Sequence, residues 1–193
     1  MRDQANLTPA LFLDRDGVIN KEVGYVSNST QLKFNLEIFK ICRFFKSVFY
    51  KIIIITNQSG IGRNIIDDKN YAEINWFISR KFKEEHCEID LILTSALNPN
   101  NVRATNEEKF LRKPNPGMIL KAQNELNLDS LNSVLIGDRI TDMQAGYAAG
   151  IKNLMLINKK PVEGDYFEYF SDFESLTAKL KEIFDPTSIW DWK

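Results

Sequence analysis

Cysteine and histidine are scarce in this chain. Cys42 and Cys87 are the two cysteines among 193 residues, and His86 is the single histidine. That is too few thiols for a disulfide framework, so a reducing cytoplasm is the expected setting. Cys42 falls in an apolar helical pattern and is expected to be buried. His86 is expected at an exposed helix end and not as a catalyst. No apolar run approaches the roughly 20 residues that cross a bilayer. Residues 1–6 lack the apolar core of a secretory signal. The formal charge is −1, which leaves no basic field for nucleic acid. Internal repeats and low-complexity linkers are missing too.

What is present is a globular composition, 44% hydrophobic and 26% charged, in a chain long enough for one well-cored domain. Apolar runs rich in β-branched residues predict strands at 10–13, 51–56, 89–94, 133–137 and 153–157. The run Ile52-Ile53-Ile54-Ile55 is continuous, as in a strand covered on both faces. Helical patterns lie between the strands. One spans 36–49, and another carries Tyr71, Ile74, Ile78 and Phe82 behind the acidic pair Asp67-Asp68. Asn115 and Pro116 read as an N-cap and first helical residue. A short helix at 141–149 ends on Gly150, and Phe173, Leu176, Leu180 and Ile183 mark a last helix. Such alternation predicts an α/β fold with a parallel sheet and helices on both faces. A single domain over 1–193 is expected, with its motifs inside 11–159 and a C-terminal helix and aromatic tail over 173–193. Ligands of such sheets bind beyond the carboxyl ends of the strands.

Every polar signature falls at such an end. The first strand runs out into Asp14-Arg15-Asp16-Gly17. Residues two apart on a strand point the same way, so Asp14 and Asp16 can reach one spot, and Gly17 allows a sharp turn. Two carboxylates together suit a hard cation and an oxygen nucleophile. The second strand is followed by Thr56-Asn57-Gln58-Ser59-Gly60, whose hydroxyl, amide and backbone N–H groups could hold a phosphate or could form a polar turn. Arg112-Lys113-Pro114 offers a fork and a point charge for anions, or a solvated basic pair. Gly137-Asp138-Arg139 ends the fourth strand, where Asp138 could complete a magnesium site with Asp14. Arg139 could contact substrate or pair with an acid. Asp142, in the next helix's first turn, reads better as a cap than as a metal ligand.

Taken in this order, Asp-x-Asp, strand-Thr, Lys and Gly-Asp-x-x-x-Asp resemble the haloacid dehalogenase (HAD) superfamily of phosphatases, over roughly residues 11–159. Asp14-Arg15-Asp16-Gly17-Val18-Ile19-Asn20, Gly24-Tyr25-Val26, Thr56-Asn57-Gln58-Ser59-Gly60 and Arg112-Lys113-Pro114 are similar to one subfamily. It holds D-glycero-D-manno-heptose 1,7-bisphosphate 7-phosphatases and histidinol-phosphate phosphatases.

The resemblance implies a Rossmann-like HAD fold and a magnesium-dependent phosphomonoesterase. Asp14 would be the nucleophile and Asp16 the acid and base, while Thr56 and Lys113 would neutralise the transferring group. Magnesium would rest on Asp14, Asp138 and the Asp16 main-chain carbonyl. Glu22, Val23, Gly24, Tyr25, Asn57, Gln58, Ser59, Arg112 and Arg139 would hold the remainder of a small phosphorylated substrate. A heptose bisphosphate is the first expectation, which would place the chain in heptose synthesis for a bacterial surface polysaccharide. Histidinol phosphate is the alternative, and a non-catalytic phospho-ligand binder or assembly subunit is a second. A cytoplasmic monomer is expected. Many members of the subfamily carry a zinc loop of Cys and His. Here residues 94–111 hold neither, so no zinc is expected. The short spacings leave no room for a large cap domain.

Overall fold

The computed structural model describes residues 7–185 and 187. The aromatic run at 189–192 and the N-terminal residues 1–6 lie outside the described residues. Six strands form one parallel sheet: β1 (Thr8–Leu13), β2 (Lys51–Asn57), β3 (Leu91–Ser95), β4 (Leu128–Gly137), β5 (Asn153–Ile157) and β6 (Glu168–Phe170). Their order is β3-β2-β1-β4-β5-β6. The sheet winds outward in both directions from β1. Its topological switch point therefore lies beside the carboxyl end of that strand, where ligands of such sheets bind.

Helices cover both faces. They are α1 (Glu37–Ser47), α2 (Ser59–Gly62), α3 (Asp68–Glu84), α4 (Asn106–Leu111), α5 (Gly117–Leu126), α6 (Ile140–Ala148) and α7 (Phe173–Phe184). Strand alternation sorts the core into two halves. Leu11, Leu13, Ile52, Ile54, Val134 and Ile136 face α1, α3 and α7. Ala10, Phe12, Ile53, Ile55 and Leu135 face α5 and α6. Both sets are buried, which is why the isoleucine run of β2 is continuous. Cys42 and Cys87 are buried free thiols. Between β1 and α1 stands only a 3-10 turn, Ser29–Gln31, and between β2 and β3 only α2 and α3. Neither connection carries a cap domain. Among the described residues no helix is long and apolar enough to cross a membrane.

Several elements differ from the sequence reading. Strand β4 begins five residues before Ser133, and its pairing with β1 slips between Pro9 and Leu11. At the slip the Ala10 N–H donates to Ser133 Oγ at 2.9 Å. Helix α5 starts at Gly117, with Pro116 as its cap. Asn115 does not cap it, because its amide donates back to the Lys109 carbonyl at 2.9 Å. Helix α4 and strand β6 have no counterpart in the reading. Helix α4 orders the stretch that lacks zinc ligands. Thr105 Oγ1 accepts from Glu108 N–H at 3.2 Å and Glu108 Oε2 accepts from Thr105 N–H at 2.8 Å, a reciprocal capping box. Gly150 terminates α6 at φ +82°, as read.

Candidate active site

The carboxyl ends of β1, β2 and β4 bring four distant segments together. Asp14 follows β1, and its N–H donates to the Ile136 carbonyl at 3.0 Å. Thr56 is the last residue but one of β2, and Asp138 follows β4. Lys113 comes from the loop before α5, and Asn57 fixes it there. The Asn57 amide donates to the Lys113 carbonyl at 3.0 Å and accepts from the Lys113 N–H at 3.1 Å. The Lys113 ammonium then reaches Asp14 Oδ1 at 2.8 Å and the Ile55 carbonyl at 3.0 Å. It also lies 2.5 Å from Asp142 Oδ1, an ion contact without the alignment of a hydrogen bond.

Burial makes these charges consequential. Lys113, Asp14 and Asp142 are all buried. Burial, together with the Asp142 and Asp16 carboxylates, raises the Asp14 pKa to about 6 against the pull of Lys113. Burial and the Asp14 and Asp142 carboxylates raise Asp138 to about 8. The Lys113 pKa is raised as well. Burial favours its neutral form, but Asp14 and Asp142 outweigh that and hold it charged.

The carboxylates fit a hard cation. One oxygen each from Asp14, Asp138 and Asp142 lies within 4.8 Å of the others. Asp138 Oδ1 is buried with no hydrogen-bond partner, and the Arg139 Nε cation lies 3.8 Å from it. An unsatisfied buried oxygen between raised carboxylates is what a divalent ion would complete. Asp142 has less to offer. Its Oδ1 faces Lys113, and its Oδ2 accepts from the Arg139 N–H at 3.0 Å as the cap of α6. Gly17, at φ +89°, allows Asp138 its place, since a Cβ there would lie 2.2 Å from Asp138 Oδ2.

Asp16 is enclosed. Arg15 forks onto it at 2.8–3.2 Å, Asn20 donates at 3.0 Å and Gln58 at 2.7 Å. Arg15 and Asn20 were missed by sequence reasoning, which cannot show that the residue between two aspartates turns inward.

A cleft of about 420 Å³ opens over these groups. Of the expected substrate contacts, Glu22, Gly24, Tyr25, Asn57, Gln58, Ser59, Arg112 and Arg139 line it, and Val23 is not among the lining residues. Asn57 and Gln58 spend side-chain hydrogen bonds on Lys113 and Asp16. Arg139 pairs with Glu22 at 2.8 Å across the rim. Arg112 Nη1 donates to the Leu97 carbonyl at 3.1 Å. Burial and the nearby Arg63 and Arg139 guanidinium groups lower the Arg112 pKa. Ile140 and Thr141 also line the cleft and carried no signal in the sequence.

Comparison with known proteins agrees with this geometry. A HAD-hydrolase-like family model matches residues 110–158, which hold Lys113 and Asp138. The D-glycero-alpha-D-manno-heptose-1,7-bisphosphate 7-phosphatase of Campylobacter jejuni is 39% identical over 175 residues, covering 91% of this chain and 97% of its own. The D-glycero-beta-D-manno-heptose-1,7-bisphosphate 7-phosphatase of Helicobacter pylori is 37% identical over 178 residues, 91% of this chain and 99% of its own. Among solved structures, a heptose bisphosphate phosphatase from B. bronchiseptica, complexed with magnesium and phosphate, superposes with a TM-score of 0.77. It is 20% identical and covers 91% of this chain and 99% of its own. With its acid pair, threonine, lysine and distal aspartate converging at one sheet end, this chain belongs to the HAD-like phosphatases, as a phosphoric monoester hydrolase of the heptose-1,7-bisphosphate 7-phosphatase family.

Proposed function

We propose that this chain hydrolyses D-glycero-D-manno-heptose 1,7-bisphosphate at the 7-phosphate, by way of an aspartyl-phosphate at Asp14. One observation carries the reading. Lys113 Nζ sits 2.8 Å from Asp14 Oδ1 in a buried pocket that opens into a cleft walled by Arg112 and Arg139.

An Asp14 oxygen attacks phosphorus in line as the bond to the sugar oxygen breaks. Asp16 delivers a proton to that leaving oxygen, then takes one from the water that splits the acyl phosphate, so Asp14 is regenerated and phosphate leaves. Lys113 and the Thr56 hydroxyl balance the charge on the phosphoryl oxygens, the main contribution expected of a protein in phosphoryl transfer. Asp14, Asp138 and the Asp16 main-chain carbonyl are the groups that would hold magnesium. When bound, the ion supplies further charge neutralisation at the phosphoryl group. Arg112 and Arg139 suit the phosphate that stays, since a guanidinium pairs with phosphate oxygens in fork geometry. The rim is open, as a small sugar bisphosphate needs.

The reading takes the chain as a single-domain monomer acting in the cytoplasm, on a small phosphorylated sugar and without nucleic acid or membrane. The buried free thiols of Cys42 and Cys87 suit that compartment.

The test is phosphate release from both anomers of the heptose bisphosphate and from histidinol phosphate, with magnesium and with chelator. Magnesium-dependent release from a heptose anomer is the expected result. A higher kcat/KM for histidinol phosphate would overturn the substrate assignment. Exchange of Asp14 for Asn should abolish turnover and keep substrate binding.

A further inference from the structure

Asp16 sits in a cage of donors that contacts both of its oxygens. Oδ1 accepts from Arg15 Nε at 3.2 Å, Arg15 Nη2 at 3.0 Å and Asn20 Nδ2 at 3.0 Å. Oδ2 accepts from Arg15 Nη2 at 2.8 Å and Gln58 Nε2 at 2.7 Å. These five contacts fix the carboxylate's direction, and its side chain keeps 17% exposure in the cleft that it also lines. Arg15 is 1% exposed and heads the fully buried side chains by volume. Its Nη1 finds no acceptor. Burying a guanidinium is costly unless it is paired, and Asp16 is the carboxylate it is paired with.

Gln58 forms the other wall. It is 4% exposed, and an amide nitrogen carries two hydrogens. One goes to Asp16 Oδ2, the other to Thr56 Oγ1 at 2.8 Å. Chemistry fixes this orientation, because against ionised Asp16 the flipped amide would set oxygen against oxygen. Both hydrogens are therefore spent inside the protein. Since Thr56 Oγ1 accepts from Gln58, its own proton is left to donate toward the cleft.

We propose that Gln58 is a positioning residue that ties the phosphoryl-binding hydroxyl of Thr56 to the acid/base Asp16, with Arg15 and Asn20 as the fixed side of the cage. This rests on the hydrolase reading above. One amide sets both the direction of the Thr56 proton and the direction of Asp16 Oδ2. The proton donor to the leaving oxygen is thereby held at a constant offset from the phosphoryl group. With its amide hydrogens taken by Asp16 and Thr56, Gln58 acts through these two neighbours.

The test is a double-mutant cycle on kcat and KM for phosphate release from the heptose bisphosphate with magnesium. Gln58→Leu keeps the buried volume and removes both donors. It should lower kcat about 10–100-fold, a fraction of what general acid–base catalysis supplies, with KM unchanged. In an Asp16→Asn background, assayed at high enzyme concentration, the same change should cost almost nothing more, because coupled residues are non-additive. Equal losses in both backgrounds would overturn the proposal, as would a raised KM at unchanged kcat, the mark of a substrate contact. Arg15→Met removes the cage's charge but also disturbs the core. Its melting is read first, and Gln58→Leu decides the matter if Arg15→Met does not fold. A wild-type protein inactive on both heptose anomers and on histidinol phosphate would overturn the hydrolase reading and this inference together. An active wild type with an indifferent Gln58→Leu would overturn this inference alone.

Discussion

The Lys113 ammonium lies 2.8 Å from the carboxylate of Asp14, a residue 99 positions earlier in the chain. The contact is buried on both sides, so each charge depends on the other. Replacing Lys113 with Met leaves Asp14 and Asp142 without their cation. An unpaired buried carboxylate answers by taking a proton, and a protonated Asp14 is a poor nucleophile. We expect Lys113→Met to lower kcat about 100-fold or more, the scale seen when a charge-stabilising group is removed from an active site. Steady-state phosphate release, paired with circular dichroism to confirm folding, checks it. Lys113→Arg should not rescue activity, because a planar fork does not fit where a point charge sits between two carboxylates.

Gly17 and Asp138 give a second prediction. A Cβ at Gly17 would lie 2.2 Å from Asp138 Oδ2, and the backbone there has φ +89°. Gly17→Ala would carry about 1–2 kcal/mol of left-handed strain and push Asp138 from the acidic cluster. Magnesium-dependent activity should be lost while the fold survives. A magnesium titration that still saturates as in wild type would refute the link.

How far the sequence disclosed this depended on the length of each signal. Asp14, Thr56, Lys113 and Asp138 were legible because three of them stand at the ends of apolar strands and the fourth precedes a clear helix. Strand β6 is three residues long, too short for any period to register. Helix α4 hid in a polar, asparagine-rich stretch. Its Thr105-x-x-Glu108 box was there to be read, but no apolar periodicity drew attention to it. Asn115 looked like a cap because Pro follows it, yet Lys109 offers its carbonyl a turn away. Arg15 was illegible for another reason. An arginine between two aspartates reads as exposed, and only the closed turn ending at Asn20 shows that its guanidinium points inward.

The raised carboxylates make cation binding depend on pH. Asp14 is held at about 6 and Asp138 at about 8, against about 3.9 in an unfolded chain. Between those limits the folded protein without a cation binds more protons than the unfolded one. Its stability is therefore greatest when both groups are protonated and falls as pH rises through about 4 to 8. A divalent ion takes the deprotonated form and reverses the trend. Magnesium should thus raise the melting temperature much more at pH 8 than at about pH 5.5. Equal increments at the two pH values, measured by calorimetry, would contradict the arrangement.

The stretch without zinc ligands gives the last prediction. Its order comes from short-range bonds: the Thr105–Glu108 box, Asn98 Oδ1 accepting from the Asn100 N–H at 3.0 Å, and Arg112 reaching back to the Leu97 carbonyl at 3.1 Å. A lost N-cap costs about 1 kcal/mol, and only the backbone half of the box, the N–H of residue 105 to Glu108 Oε2, survives the change. Thr105→Ala should loosen α4 locally and leave the sheet intact. Amide exchange should quicken over residues 95–111 and stay unchanged in β1 and β2. Arg112 follows α4 directly and lines the cleft, so KM for a bisphosphate should rise while kcat changes little. A zinc chelator should shift neither quantity in the wild type. Uniformly faster exchange across the sheet after Thr105→Ala would mean that the box supports the whole fold and not this wall of the cleft.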